Sequence, residues 1–91
     1  MLSDISISSV SDNLFKVKVT TDVQTNHFVS VTDSELEKLS KEKTKEELIL
    51  FAFRFLLKRE KNTQILQEFS ISLINNYFPD FEREVKKWLE T

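Results

Sequence analysis

The sequence predicts an α+β fold: a three-stranded antiparallel β-meander followed by about four α-helices packed on one face of the sheet. Three observations carry this. Period-two alternation is confined to the first third, two capping-box sequences sit in the middle, and helix-spaced apolar residues continue to the end. Ninety-one residues read as a single domain, with the β-meander over 4–31 and the helical part over 32–90.

The strands come first. Ile5 and Ile7 alternate with Ser6 and Ser8, the period of a short half-buried strand. Ser11-Asp12-Asn13 is turn chemistry. Phe15, Val17 and Val19 then alternate with Lys16 and Lys18, the cleanest strand signal in the chain. Thr21 to Thr25 is polar and forms the second connection, with Asp22 at its turn. A third strand over about Asn26 to Val31 places His27, Val29 and Val31 on one side and Phe28 and Ser30 on the other. Short polar connections favour hairpins over crossovers. The chain has no Gly, so tight turns fall to Asp and Asn, the residues next most tolerant of positive φ.

Thr32-Asp33-Ser34-Glu35 fits a capping box, with Val31 and Leu36 at hydrophobic-staple spacing. Leu36 and Leu39 give this short helix one apolar edge, and it should end by about Glu42. Thr44-Lys45-Glu46-Glu47 is a second box and opens the longest helix, to about Arg59, where Lys58-Arg59 suits the helix dipole. That helix is apolar over more than half its circumference, as expected of a central helix or one packed on a second chain. Ile65, Leu66 and Phe69 are helix-spaced, so a short helical turn is expected over 62–70. Ser72 is placed to cap a brief helix reaching Tyr77, and Pro79 suits the first turn of a last one ending near Glu90. That last helix presents Phe81, Val85, Trp88 and Leu89 on one stripe, with Glu82 and Lys86 paired opposite.

Composition excludes several classes of chemistry. With no Cys there is no disulfide framework, thiolate nucleophile or Cys-ligated metal, and a reducing, cytoplasmic setting is favoured. With no Gly, phosphate-binding loops and dinucleotide fingerprints are excluded. Met1-Leu2-Ser3-Asp4 lacks the basic start of a signal peptide, and the longest apolar run, Leu48 to Phe53, is too short to span a bilayer. The net charge of −2 does not favour generic polyanion binding.

Phe53-Arg54-Phe55-Leu56-Leu57-Lys58-Arg59-Glu60, then Ile65-Leu66, Phe69 and Ile74-Asn75-Asn76-Tyr77-Phe78-Pro79-Asp80-Phe81-Glu82, form a combined pattern. It resembles a family of small uncharacterised prokaryotic proteins, and the resemblance covers most of the chain. That family commonly has a Pro after the Arg-Glu pair and a Gly in the second hairpin; Lys61-Asn62 and a Gly-free turn stand here. The resemblance supports the fold and implies no activity.

Candidate functional residues are few. His27 is the only imidazole, and no nucleophile elbow surrounds any Ser, so a structural histidine is favoured over a catalytic or ligand-binding one. The fifteen acidic residues are spread along helix faces without a metal-loop spacing, so neither a metal nor a cofactor is expected. If Phe15, Val17 and Val19 face the helices, Lys16, Lys18 and Phe28 share the outer sheet face, where cations beside an aromatic can contact nucleic acid. The order of strand, capped helix and second helix over Asn26 to Arg59 also resembles ribbon-helix-helix DNA-binding dimers. Leu50 and Leu57, seven apart on the side of Arg54, are either covered by the C-terminal helix or buried against a second chain. The reading favoured by these residues is a non-catalytic module with a protein partner, itself or another chain. A nucleic-acid-binding regulator is the alternative, followed by a small enzyme using His27.

Overall fold

The alternation of the first third becomes three strands, Asp4–Ser9 (β1), Leu14–Thr20 (β2) and Gln24–Ser30 (β3), paired antiparallel in sequence order. The computed structural model describes residues 4–40 and 42–90. A fourth strand, Glu68–Ser70 (β4), adds to β3 in parallel, so the sheet is mixed, with order β1-β2-β3-β4. The expected helical turn over 62–70 is therefore corrected. Asn62–Gln64 is a single 3-10 turn, and the chain is extended beyond it. Short apolar runs fit either period, and here tertiary contacts decide. The Phe28 N–H donates to Gln67 O at 2.6 Å, and His27 Nδ1 lies 2.7 Å from Leu66 O.

Ile5, Ile7, Phe15, Val17, Val19, His27, Val29 and Phe69 share the inner face. The helical layer over them comprises Asp33–Ser40 (α1), Lys45–Leu57 (α2), Ile74–Tyr77 (α3) and Phe81–Leu89 (α4). Helix α2 is the central one, burying Leu48, Ile49, Ala52, Phe53, Phe55 and Leu56. The other sheet face carries Ser6, Ser8, Lys16, Lys18 and Asn26, all exposed.

Both capping boxes form. Thr32 Oγ1 accepts from the Glu35 N–H while Glu35 Oε1 accepts from the Thr32 N–H, at 3.1 and 3.0 Å. Thr44 and Glu47 make the same reciprocal pair, at 3.1 and 3.0 Å. The box fixes where α1 starts; α1 runs to Ser40, and Lys41 lies outside the described residues. Helix α2 stops at Leu57, two residues before the expected end, because Arg59 turns back over the Phe55 ring and pairs with Asp80 at 2.6 Å.

Two further expectations are corrected. Ser72 caps no helix: its hydroxyl donates to the Glu35 carboxylate and ties the start of α1 to the 3-10 turn Ile71–Leu73, which runs into α3. On α4 the ion pair is Glu84 with Lys87, at 3.5 Å, rather than Glu82 with Lys86. Pro79 and Asp80 form the turn before α4, which begins at Phe81.

The hairpins also depart from the expected chemistry. No described residue has positive φ. The connections are four and three residues long (10–13 and 21–23), and side chains from the helical part hold them. Lys45 Nζ donates to Asp12 O and Asn13 Oδ1, and Asn62 Nδ2 donates to Val23 O and Thr25 Oγ1. A loop anchored from outside needs no left-handed residue of its own.

Candidate functional site

The sequence places its only imidazole on the inner side of β3, and the structure puts His27 there, 1% exposed. Its partners define its role. Nδ1 faces the Leu66 carbonyl at 2.7 Å, so it carries the proton and donates; Nε2, 2.9 Å from Thr25 Oγ1, accepts from that hydroxyl. The Thr25 hydroxyl in turn accepts from Asn62 Nδ2 at 3.0 Å. The Phe53 ring lies 5.4 Å from the imidazole. Both ring nitrogens are thus occupied by hydrogen bonds within the fold. Among the described residues no group of three or more His, Asp and Glu could hold a metal ion. No helix among them is long and apolar enough to cross a membrane.

On the outer face Lys16 and Phe28 are direct cross-strand partners, and Lys18 faces Asn26. Phe28 also neighbours Glu68 across the β3–β4 pair. The fourth strand thus adds a carboxylate to the face that carries the two lysines. Strand β3 pairs with β2 along its length and with β4 over Phe28–Ser30, so over those three residues it does not offer the free edge that the strand of a ribbon-helix-helix dimer uses.

The flank of α2 bearing Leu50, Arg54 and Leu57 is open. The ring contacts of the C-terminal helix with α2 fall on another flank, and Leu57 packs against the core. Trp88 stacks on Phe51 at 4.6 Å, and Phe81 meets Phe55 edge-on at 5.1 Å, so α4 docks on the flank of α2 that carries Phe51 and Phe55. At 100° per residue Leu50 and Leu57 point roughly 100–160° away from those rings. They are half-buried, and Arg54 is exposed between them.

That open flank lies beside an open strand edge. Of the strands, β1 is the one α2 packs closest to. The helix starts where Lys45 reaches the β1–β2 turn and ends near Asn62, which holds the β2–β3 turn. It therefore runs antiparallel to β1. The edge itself can be read from the ladder. The Val10 N–H donates to Leu14 O at 2.8 Å, and the Phe28 N–H donates outward to Gln67 O. Hydrogen-bonded pairs alternate along antiparallel strands, so the even-numbered residues of β1 bond to β2. Ile5, Ile7 and Ser9 then direct their N–H and C=O groups out of the sheet, without a backbone partner among the described residues.

Sequence reasoning named Leu50, Arg54 and Leu57 without relating them to the β1 edge, because how a helix lies over a sheet is a property of the tertiary structure. It also missed a cavity of about 280 Å³ between β4, α3 and the end of α2. Leu56, Ile65, Phe69, Leu73, Ile74 and Phe78 line it, with Glu60, Gln64, Leu66 and Tyr77 completing the wall. No protein-family profile, no curated protein and no solved structure matches this chain.

Proposed function

We propose that this chain is a non-catalytic, self-associating interaction module whose partner surface is the β1 edge together with the α2 flank of Leu50, Arg54 and Leu57. The observation that carries the reading is the juxtaposition of the two: an unpaired strand edge and a half-buried leucine pair on the same side of the molecule. Edge strands of this length template further pairing unless something covers them.

A two-fold axis suits both elements. With Ser6 on the axis, two β1 strands pair antiparallel and set Ile5 opposite Ile7 of the second copy, the register in which the outward N–H and C=O groups meet. With Leu50 on the same axis, Arg54 faces Glu46 of the second copy. Both residues are exposed, and among the described residues neither makes an ion pair within the chain. A charge pair across a two-fold axis occurs twice, which favours one register over a slipped one.

Light scattering across the micromolar range tests this. Wild type is expected to dimerise, and Leu50→Glu to be monomeric. Arg54→Glu should weaken the dimer at least tenfold, and adding Glu46→Arg should restore it. A wild-type monomer at every concentration ends the proposal.

The direct pairing of Lys16 with Phe28 on the bare sheet face supports a nucleic-acid-contacting regulator as a second reading. It requires single-stranded oligonucleotide binding that falls steeply with salt and is lost on Lys16→Glu/Lys18→Glu. Anisotropy that is flat at low salt removes it. The absence of Cys supports a reducing, cytoplasmic setting for either reading.

A further inference from the structure

Among the described residues four large apolar ones are prominently exposed: Val10, Val23, Leu66 and Tyr77. The first two sit in the hairpin connections, which leave small apolar side chains in solvent in most proteins. The other two, 47% and 65% exposed, stand together at the mouth of the 280 Å³ cavity beside β4. Exposed apolar surface in the sheet and helix layers is thus concentrated at one opening.

The opening adjoins the second free edge of the sheet. Strand β4 pairs with β3 on one side, and among the described residues no backbone hydrogen bond outside the strand ladder involves Glu68. Because the Gln67 carbonyl accepts from Phe28, the neighbouring Glu68 directs its N–H and C=O away from β3. Side-chain parity does the rest. Phe69 points inward and lines the cavity, while Glu68 is exposed on the outer face. A strand added beyond β4 would send one side chain toward the cavity and the next toward Glu68.

The charges beside this edge have one sign where the cavity is concerned. Glu60 is the only charged group in its lining, and among the described residues it has no ion-pair partner. The adjacent Arg59 is held by Asp80 at 2.6 Å. We infer that the β4 edge is a second docking site, independent of self-association, which receives an extended segment of another protein that alternates aliphatic and basic residues. The aliphatic side chain fills the cavity among Leu56, Leu73 and Phe78. The basic residues meet Glu60 and Glu68, and the partner backbone bonds to Glu68. A small ligand of the same chemistry would use the cavity and leave the edge unpaired.

Amide-resolved NMR titration of the full chain with blocked hexapeptides tests the inference. The probes are alternating lysine and leucine, alternating glutamate and leucine, alternating lysine and serine, and n-hexylamine. The lysine–leucine peptide is expected to bind saturably, shift Ile65, Phe69, Leu73 and Tyr77, and slow exchange of the Glu68 amide. Affinity should fall at least tenfold in Leu66→Glu, an exposed position that leaves the core intact, and in Glu60→Gln/Glu68→Gln. Equal binding of the lysine–serine peptide would mean unspecific attraction to an acidic protein, and equal binding of the glutamate–leucine peptide would remove the charge argument. Either overturns the inference. So do cavity shifts with hexylamine but no peptide protection at Glu68, which would assign a small-amphiphile pocket. Peptide binding by the monomeric Leu50→Glu variant keeps this result separate from the fate of the dimer.

Discussion

At the scale of single residues, the most consequential group is Asn62. It is buried, and its amide donates to Val23 O and Thr25 Oγ1 at 3.0 Å while its carbonyl oxygen accepts from the Thr21 hydroxyl at 3.2 Å. Through Thr25 it also orients His27, so one amide joins the β2–β3 turn, the core imidazole and the approach to β4. Asn62→Ala should cost about 2–3 kcal/mol in urea unfolding, since it leaves buried polar atoms without partners. Asn62→Asp should cost more at neutral pH, because it turns an acceptor toward atoms that need a donor. An Asp variant as stable as wild type would show that the amide does not organise this network. Ser40 is the opposite case: its hydroxyl is fully buried and has no hydrogen-bond partner among the described residues. Ser40→Ala should be neutral or stabilising, by up to about 1 kcal/mol, because it removes an unsatisfied polar atom. A loss of stability there would mean that the hydroxyl has a partner. Neither residue was legible in the sequence. Parity put His27 on the inner side, but a buried polar residue outside the regular elements breaks no pattern, so nothing in the sequence marked Asn62.

At the scale of elements, the helix starts were the most legible features and the segment 62–70 the least. A capping box is satisfied by four consecutive residues, so Thr32–Glu35 and Thr44–Glu47 could be read locally. Strand β4 is set by hydrogen bonds to residues some forty positions earlier, and Ile65, Leu66 and Phe69 carry no local sign of that. The boxes also create a pH dependence. For Glu35, burial raises the carboxyl, yet hydrogen bonds from Ser72 and Thr32 together outweigh it and hold the pKa below its ordinary value of 4.5. For Glu47, hydrogen bonds from the Thr44 backbone and hydroxyl do the same. A carboxylate depressed on folding stabilises the fold above its unfolded pKa and loses that contribution as pH falls through the folded value. Stability should therefore be level near neutrality and decline below about pH 4.5. Glu35→Gln retains an acceptor for the cap but no titrating group, so it should lose the carboxylate's contribution at pH 7 while its decline between pH 5 and 3 becomes shallower. An unchanged acid profile would mean that the Glu35–Ser72 tie contributes nothing. Thr44→Ala, which removes the hydroxyl cap of α2, should cost about 1 kcal/mol at any pH in this range.

At the scale of the whole molecule, the four strands differ in how many neighbours secure them, and hydrogen exchange reads that difference directly. Strand β2 is paired on both sides, and Phe15, Val17 and Val19 are sealed beneath the helices. Its amides can exchange only when the sheet opens, so they should report the global unfolding free energy. Strand β4 has three residues, one partner and a parallel ladder that closes a long loop, so the Phe69 amide should exchange through a smaller opening and considerably faster. The alternation of Phe15, Val17 and Val19 made β2 the cleanest strand signal, and a meander in chain order already placed β1 at an edge; that β4 forms the other edge follows only from the topology. Strand β1 then separates a monomer from a dimer without any mutation. Its even-numbered residues, Ser6 and Ser8, donate to β2 and should be protected in either state. The Ile5 and Ile7 amides point out of the sheet, so in a monomer they should exchange at nearly the rate of an unfolded chain. In the proposed dimer they donate to the second copy, and their protection should rise in step with protein concentration while that of Ser6 stays fixed. Equal, fast exchange of Ile5 and Ile7 in dilute and concentrated samples would mean that β1 remains a bare edge, and any dimer seen by scattering would have to use a different surface.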